Sequence, residues 1–348
     1  TDDGAASGLE GTLRVLIHQN PAGVEFFESF NETFEAANPG VEIDLSVVDS
    51  DGLSTTNQTR LTANDVDITT ISLFGFDKAV QDYMTDADPP SWQQLIDAGL
   101  IKDITGEPFL ANYDQAAIDS GSYNGGVYAL ALGRTTYSGM FVNDDILTEV
   151  GVATPTTFDE LVAACPVIED AGYTCMIAGG QDGWPVHVGS YGILGALYPD
   201  QAGLVEGLWT GEAKWNDEKG LDLFDRYATY ASLLSAESAG LTGDAAAGRF
   251  AVGGVAFGPS GGWNAGTIET ANPEFSWSYV PFPGSDDAAD NQTLYGKVDM
   301  SVAVAADTPV PELASAYLAA FSEPDSYNAF ANATGYIPTQ PTAVLDNT

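Results

Sequence analysis

Positive charge is what this 348-residue chain has least of: ten Lys and Arg stand against fifty Asp and Glu, a formal net charge of −40. Such a surface repels nucleic acid and anionic lipid. A polyanionic substrate would need a local Arg cluster to override that field. The five arginines are instead dispersed, at Arg14, Arg60, Arg134, Arg226 and Arg249. Histidine is scarce too, at two residues, which leaves general-base and metal chemistry few candidates. No apolar run approaches the roughly 18 residues that a bilayer crossing needs. There is no zinc-protease HExxH, no P-loop and no Gly-rich dinucleotide turn after a strand. Gly258-Pro259-Ser260-Gly261-Gly262 does not fit the GxSxG elbow. A glycosidase needs two carboxylates about 5–9 Å apart across the scissile bond. The conspicuous pair Asp144-Asp145 is adjacent at a helix start and points apart. An enzyme is disfavoured.

What is present suits a large folded binder. The length exceeds what one core usually serves, so two lobes are the natural expectation. Hydrophobic residues make up 44% of the chain, enough to fill both. The acids are spread along the sequence without a long acidic tail. They read as a whole-surface adaptation for solubility outside the cell, in keeping with high salt, and the alternative is an acidic cation-binding function. Residues 1–12, TDDGAASGLEGT, are small, polar and acidic and read as a tether left after processing or starting past an anchor. Cys165 lies in a predicted helix and Cys175 starts the following strand. A helix packed beside its next strand brings such a pair within bonding range, and a disulfide is the favoured reading for an exported chain, two buried thiols being the alternative. No His or third Cys stands near enough to suggest a metal site.

Strands alternate with helices along the chain. Residues 12–18 form an apolar strand ending at Gln19-Asn20-Pro21. Residues 23–38 form an amphipathic helix with Phe26, Phe27, Phe30 and Phe34 at core spacing, stopped by Asn38-Pro39-Gly40. Strands follow at residues 41–48 and 67–73, and a helix begins at Ser91. Thr156 or Thr157 starts a further helix with Glu160 placed for a capping box, and Asn216-Asp217 caps another that holds Leu221, Phe224 and Tyr227. Residues 245–262 read as a helix end, a Gly turn, the buried strand VAFG and a loop. Strands at 276–281 and 300–305 and helices at 311–322 and 326–333 complete the pattern. This is an α/β fold with ligands expected at the C-terminal ends of strands.

The segments NPG, GGVYALAL, FVNDDILTEVGVATPTTFDEL, DGWP, the Gly turn before VAF followed by GGW, and TGYIP occur in that order. In that order they resemble the extracellular solute-binding proteins of the maltodextrin type that feed carbohydrate ABC importers. The resemblance implies a bilobal periplasmic-binding-protein-like fold, with two discontinuous lobes around a hinged cleft. The first lobe would hold residues 1–130 and 280–307, the second residues 131–279 and 308–348. It implies capture of a mono- or oligosaccharide and delivery to the permease subunits of an ABC importer. It also implies a monomer, with no cofactor, held outside the cell by an N-terminal lipid on its precursor or free in a periplasm.

Sugars are bound by aromatic rings stacked on the pyranose face and by planar polar groups that take hydroxyls. The resemblance places Trp263 and Trp184 as stacking rings, with Phe74 on the opposite lobe. Asp77, Gln19, His18, Arg134, Tyr137, Asp299, Glu25 and Tyr336 are the polar candidates and companions. The bland reading of each is a capping, paired or core side chain, and His187 and Tyr191 are read as core or helix face. The runner-up class is a binder for a cation such as a polyamine, which would need an aromatic box with several converging acids. A glycoside hydrolase and a purely structural role rank below it.

Overall fold

The structure, a computed structural model, describes residues 8–71 and 78–345. The chain divides into two compact units, both discontinuous in sequence. One holds residues 1–80, 87–134 and 297–348, and the other residues 81–86 and 135–296.

The first unit opens with β1 (Glu10–His18), α1 (Pro21–Ala37), β2 (Gly40–Val48), α2 (Ser50–Thr62) and β3 (Ile68–Thr70). After α3 (Ser91–Asp97) and α4 (Gln115–Ser120), the short pair β4 (Ser122–Tyr123) and β5 (Gly126–Val127) leads into β6 (Leu130–Thr136). The second unit runs through β7 (Gly139–Asn143), α5 (Asp144–Val150), α6 (Phe158–Asp170), β8 (Thr174–Met176), α7 (His187–Leu197), α8 (Gln201–Thr210) and α9 (Glu218–Leu233). It ends with α10 (Gly243–Ala251), β9 (Val255–Ser260), α11 (Ala265–Thr270) and β10 (Trp277–Pro281). The chain then returns to the first unit with β11 (Gly296–Val304), α12 (Pro311–Phe321), α13 (Pro324–Thr334) and β12 (Ile337–Pro338). None of the described helices is long and apolar enough to cross a membrane.

The first unit is built on a six-stranded sheet in the order β12-β6-β11-β3-β1-β2. β1 runs parallel to β2 and β3, while β11 is antiparallel to β3. Parallel pairing calls for crossover helices, and α1 supplies the first. Asn20 caps it by accepting the Gly23 N–H at 2.8 Å, and Pro21 stands where a helix lacks a partner for its N–H. Its Phe27, Phe30 and Phe34 are buried. They meet the C-terminal helices: Phe27 stacks on Phe321 at 5.8 Å, and Phe30 meets Tyr317 edge-on at 5.2 Å. Residues 308–348 therefore belong to the first unit, not the second as expected from sequence.

The second unit carries the sheet β10-β7-β9-β8, with β7 antiparallel to β10 and β9 and β8 parallel to β9. Its core includes Met140, Val142, Leu161, Ile193 and Phe257. Thr157 and Glu160 form the capping box of α6, and Cys165 is bonded to Cys175 with their Cα atoms 5.1 Å apart. Residues 280–296, expected in the first lobe, also belong here. Val280 pairs with Met140, and Phe282 packs edge-on against Tyr230 at 5.3 Å. Asn291 binds the Gly284 and Ser285 N–H groups and the Thr156 carbonyl. The third strand is shorter than the expected 67–73, its ladder covering Ile68–Thr70.

Candidate functional site

On the second unit, two Gly-rich loops at the C-terminal ends of neighbouring parallel strands carry the two candidate tryptophans. Beyond β9, Gly261-Gly262 precede Trp263. A Cβ on Gly261 would collide with the Trp263 ring, so the ring lies folded against bare backbone. The buried Asn264 fixes the turn through its side-chain amide, which donates to Ser260 Oγ at 2.9 Å. Beyond β8, the backbone of Gly180 and Gln181 bonds to Ser238 and Leu241, and the Asp182 carboxylate accepts the Gly243 N–H at 2.9 Å. Side chains at Gly179 or Gly180 would strike the backbone of residues 238–243. Gly183, at φ 78°, then turns the chain. Trp184 emerges there and meets Trp263, the ring centroids 5.5 Å apart and the planes inclined at 52°.

The aromatic surface continues from that pair. The His187 N–H bonds to the Trp184 carbonyl, and one helical turn on, the rings of His187 and Tyr191 are 6.4 Å apart. Tyr191 meets Tyr137 edge-on at 5.5 Å. Burial, then the neighbouring Tyr191 and Tyr295, push the Tyr137 hydroxyl above its ordinary pKa, so it stays a protonated donor. Thr136 stands against Gly262 and donates to Tyr279 at 3.0 Å. The buried Thr135 hydroxyl beside it has no hydrogen-bond partner among the described residues. Trp184, Trp263 and Tyr137 are thus gathered on one rim. His187 and Tyr191 join them there, although their sequence context marks only an apolar helix. The signal available was their spacing of one turn behind DGWP.

On the first unit, three other candidates meet in a buried polar network at the end of β1. The His18 N–H donates to Thr70 Oγ1 at 3.0 Å, and His18 Nε2 lies 3.9 Å from Asp299. The same Asp299 oxygen takes Lys297 Nζ at 3.1 Å, and the other takes the Tyr336 hydroxyl at 3.3 Å. Asn20 donates to Tyr336 at 3.0 Å. Burial pushes the His18 imidazole below its ordinary pKa, against the pull of Asp299. For Asp299 burial acts upward, but Lys297 and His18 outweigh it and hold the carboxyl low. Next in the chain, Met300 takes the left-handed backbone at φ 47°, a strain of order 1 kcal/mol. His18, Asp299 and Tyr336 are therefore satisfied by one another. Lys297 and Asn20 complete the network, and no motif marks Lys297.

The remaining candidates are dispersed. Arg134 is engaged by Asp114 at 2.6 Å and by the Pro338 carbonyl at 3.0 Å. Gln19 and Glu25 are exposed on the first unit. Phe74 and Asp77 lie outside the described residues.

The family model for bacterial extracellular solute-binding proteins matches residues 30–348. A search of curated proteins found no match. Solved structures align with nearly the whole chain. The protein RafE in complex with raffinose is 19% identical with a TM-score of 0.79, over 97% of this chain and 84% of that one. A sugar transporter protein from Bacillus licheniformis in complex with stachyose is 18% identical with a TM-score of 0.75, over the same shares. A chitin oligosaccharide binding protein is 17% identical with a TM-score of 0.79, again over 97% and 84%. At such identities the likeness is one of fold.

Proposed function

The chain belongs to the bacterial extracellular solute-binding proteins, and from that premise we propose that its solute is a mono- or oligosaccharide held on the aromatic rim of the second unit. The observation that carries this reading is the Trp184–Trp263 pair, presented by glycine loops at the ends of two adjacent strands. A pyranose offers an apolar C–H face to such rings, and Tyr137, Tyr191 and His187 extend the surface with polar tips. The sugars named for the aligned structures agree with it. A family of solute-binding proteins captures and does not transform, so catalysis has no part in the reading. Delivery of the sugar to the permease subunits of an ABC importer, by a monomer tethered through an N-terminal lipid, is the finer part of the proposal.

The cationic alternative is weaker at this rim. A polyamine needs several converging carboxylates beside the rings, and of the neighbouring pair Asp182 and Asp244, Asp182 already accepts the Gly243 N–H.

A thermal-shift screen with mono- and oligosaccharides, polyamines and Ca²⁺ tests the reading. A ligand at about 100 times its Kd stabilises a protein by about 2.7 kcal/mol. A sugar response that Trp263→Ala abolishes is the expected result. Silence from every sugar, with a response to a polyamine, would overturn it.

A further inference from the structure

The charged coat of the second unit is interrupted on α8, α9 and the turn that joins them. Only Gly207 of the ten α8 residues is buried, and its Val205 and Trp209 stand 39% and 47% exposed. Past the turn, Trp215 is 38%, Leu221 55% and Phe224 49% exposed. The rings form a continuous strip. Tyr198, Trp215, Phe224 and Tyr227 follow one another at 6.2, 6.0 and 6.1 Å. Exposed apolar patches of this kind mark interaction sites.

The form of the strip indicates what covers it. Successive rings meet edge to face, at 65° to 86°. The surface is corrugated, and interlocking side chains of a protein suit it. The rim is acidic, with Glu206, Glu212, Asp217, Glu218 and Asp225 exposed. Of the two lysines there, Lys219 is turned onto the Tyr198 ring at 4.4 Å, which leaves Lys214 facing out. A second copy in a two-fold dimer would set this rim against itself, and an anionic membrane would meet the same repulsion. The strip begins beside the aromatic rim proposed for the solute, its Tyr227 lying near Tyr191, and runs away from it towards Tyr198 and Trp215. α7 carries His187 at one end and is followed by Tyr198 at the other, a length of about 16 Å.

We infer that this face docks a protein with an apolar centre and a basic rim, namely, resting on the solute-capture reading, the membrane subunit that receives the solute. The test replaces the cell's own copy with Trp215→Ser/Phe224→Ser, and separately with Glu218→Lys/Asp225→Lys, which keeps the rings. Calorimetry reads sugar affinity of the purified proteins, and labelled sugar reads uptake. Both variants should keep the parent's affinity and lose at least about tenfold in uptake. Normal uptake by both would overturn the docking face, and so would a dimer of the parent that the ring variant dissolves. A photo-crosslinking side chain at Trp209 in intact cells gives a readout independent of the solute. An adduct with an integral membrane protein supports the inference, while an adduct with a second copy, or none, overturns it. Failure of the parent to bind any sugar in the calorimeter would instead sink the solute reading.

Discussion

His18 Nε2 stands 3.9 Å from Asp299 Oδ1, the oxygen that Lys297 Nζ also holds at 3.1 Å. The imidazole and the carboxylate are both buried. Burial lowers the folded-state pKa of His18 below its unfolded value near 6.5, so between the two values the unfolded chain binds the extra proton. Stability from this source is complete above about pH 6.5 and declines as the pH falls towards the lowered folded value. Asp299 acts lower down, its contribution lost only as the pH drops through its depressed folded value. Urea midpoints should therefore fall between about pH 7.5 and pH 5, with a shallower slope in His18→Asn. An equal slope in the two proteins would show that His18 does not titrate in this way.

Asp67 is fully buried, and its carboxylate accepts from Arg14 Nε, Arg14 Nη2, the Arg14 backbone N–H and Thr308 Oγ1, all at 2.8–2.9 Å. These bonds join β1, the start of β3 and the segment after β11. Without the Asp67 charge Arg14 still holds the Asn64 carbonyl and Asp65 at the surface, so the cost is that of the lost charge-assisted bonds, about 1–3 kcal/mol. Asp67→Asn should lose that much in denaturant titrations. A loss below about 1 kcal/mol would mean that water or another group replaces the pair.

The Cys165–Cys175 bridge closes a short loop, with a sequence separation of 10. A closure of that size restrains the unfolded chain by about 2–3 kcal/mol. Cys165→Ala/Cys175→Ala should be destabilised by this amount, and the parent under reducing agent should approach the same value. Thiol labelling of the unreduced protein should find no free cysteine, and two labelled thiols would contradict the bond.

Gly261 is the seat of the Trp263 ring, which a Cβ would displace. The clash is with a movable side chain, so Gly261→Ala should turn the ring without unfolding the unit. The expected signature is a loss of sugar affinity of at least about tenfold, or 1.4 kcal/mol, with stability changed by less than about 0.5 kcal/mol. Parent-like affinity would exclude Trp263 as a stacking ring.

A net charge of −40 makes the folded surface repel itself. Salt shortens the reach of that repulsion, from about 10 Å at 0.1 M to about 3 Å at 1 M. Thermal midpoints should rise as KCl is increased over that range. A midpoint that holds or falls would make the acidity a matter of solubility alone.

Much of the local structure was legible from residue order. Phenylalanines at helical spacing located α1, although it starts at Pro21 under the Asn20 cap where a loop was expected, and Thr157 with Glu160 located the start of α6. Such signals act within a few residues, through capping bonds and burial on one face. Partnership is different. The apolar faces of α12 and α13 were evident, but only Phe321 against Phe27 and Tyr317 against Phe30 assign those helices to the first unit. Val205 and Trp209 of α8 are left uncovered in the fold, which only the packed unit shows.

The candidate site divides in the same way. Composition and the order of motifs determined that this chain is an acidic α/β binder, and they singled out Trp184, Trp263, His18, Asp299 and Tyr336. Tertiary structure decided their fates. Pairing β8 with β9 brought the two tryptophans to 5.5 Å, with Trp184 exposed and Trp263 half-buried. Closing the six-stranded sheet buried His18, Asp299 and Tyr336 in one another's company. A buried charge is tolerated only where partners from distant segments converge on it, and that convergence is a property of the packed chain that no local stretch of residues encodes.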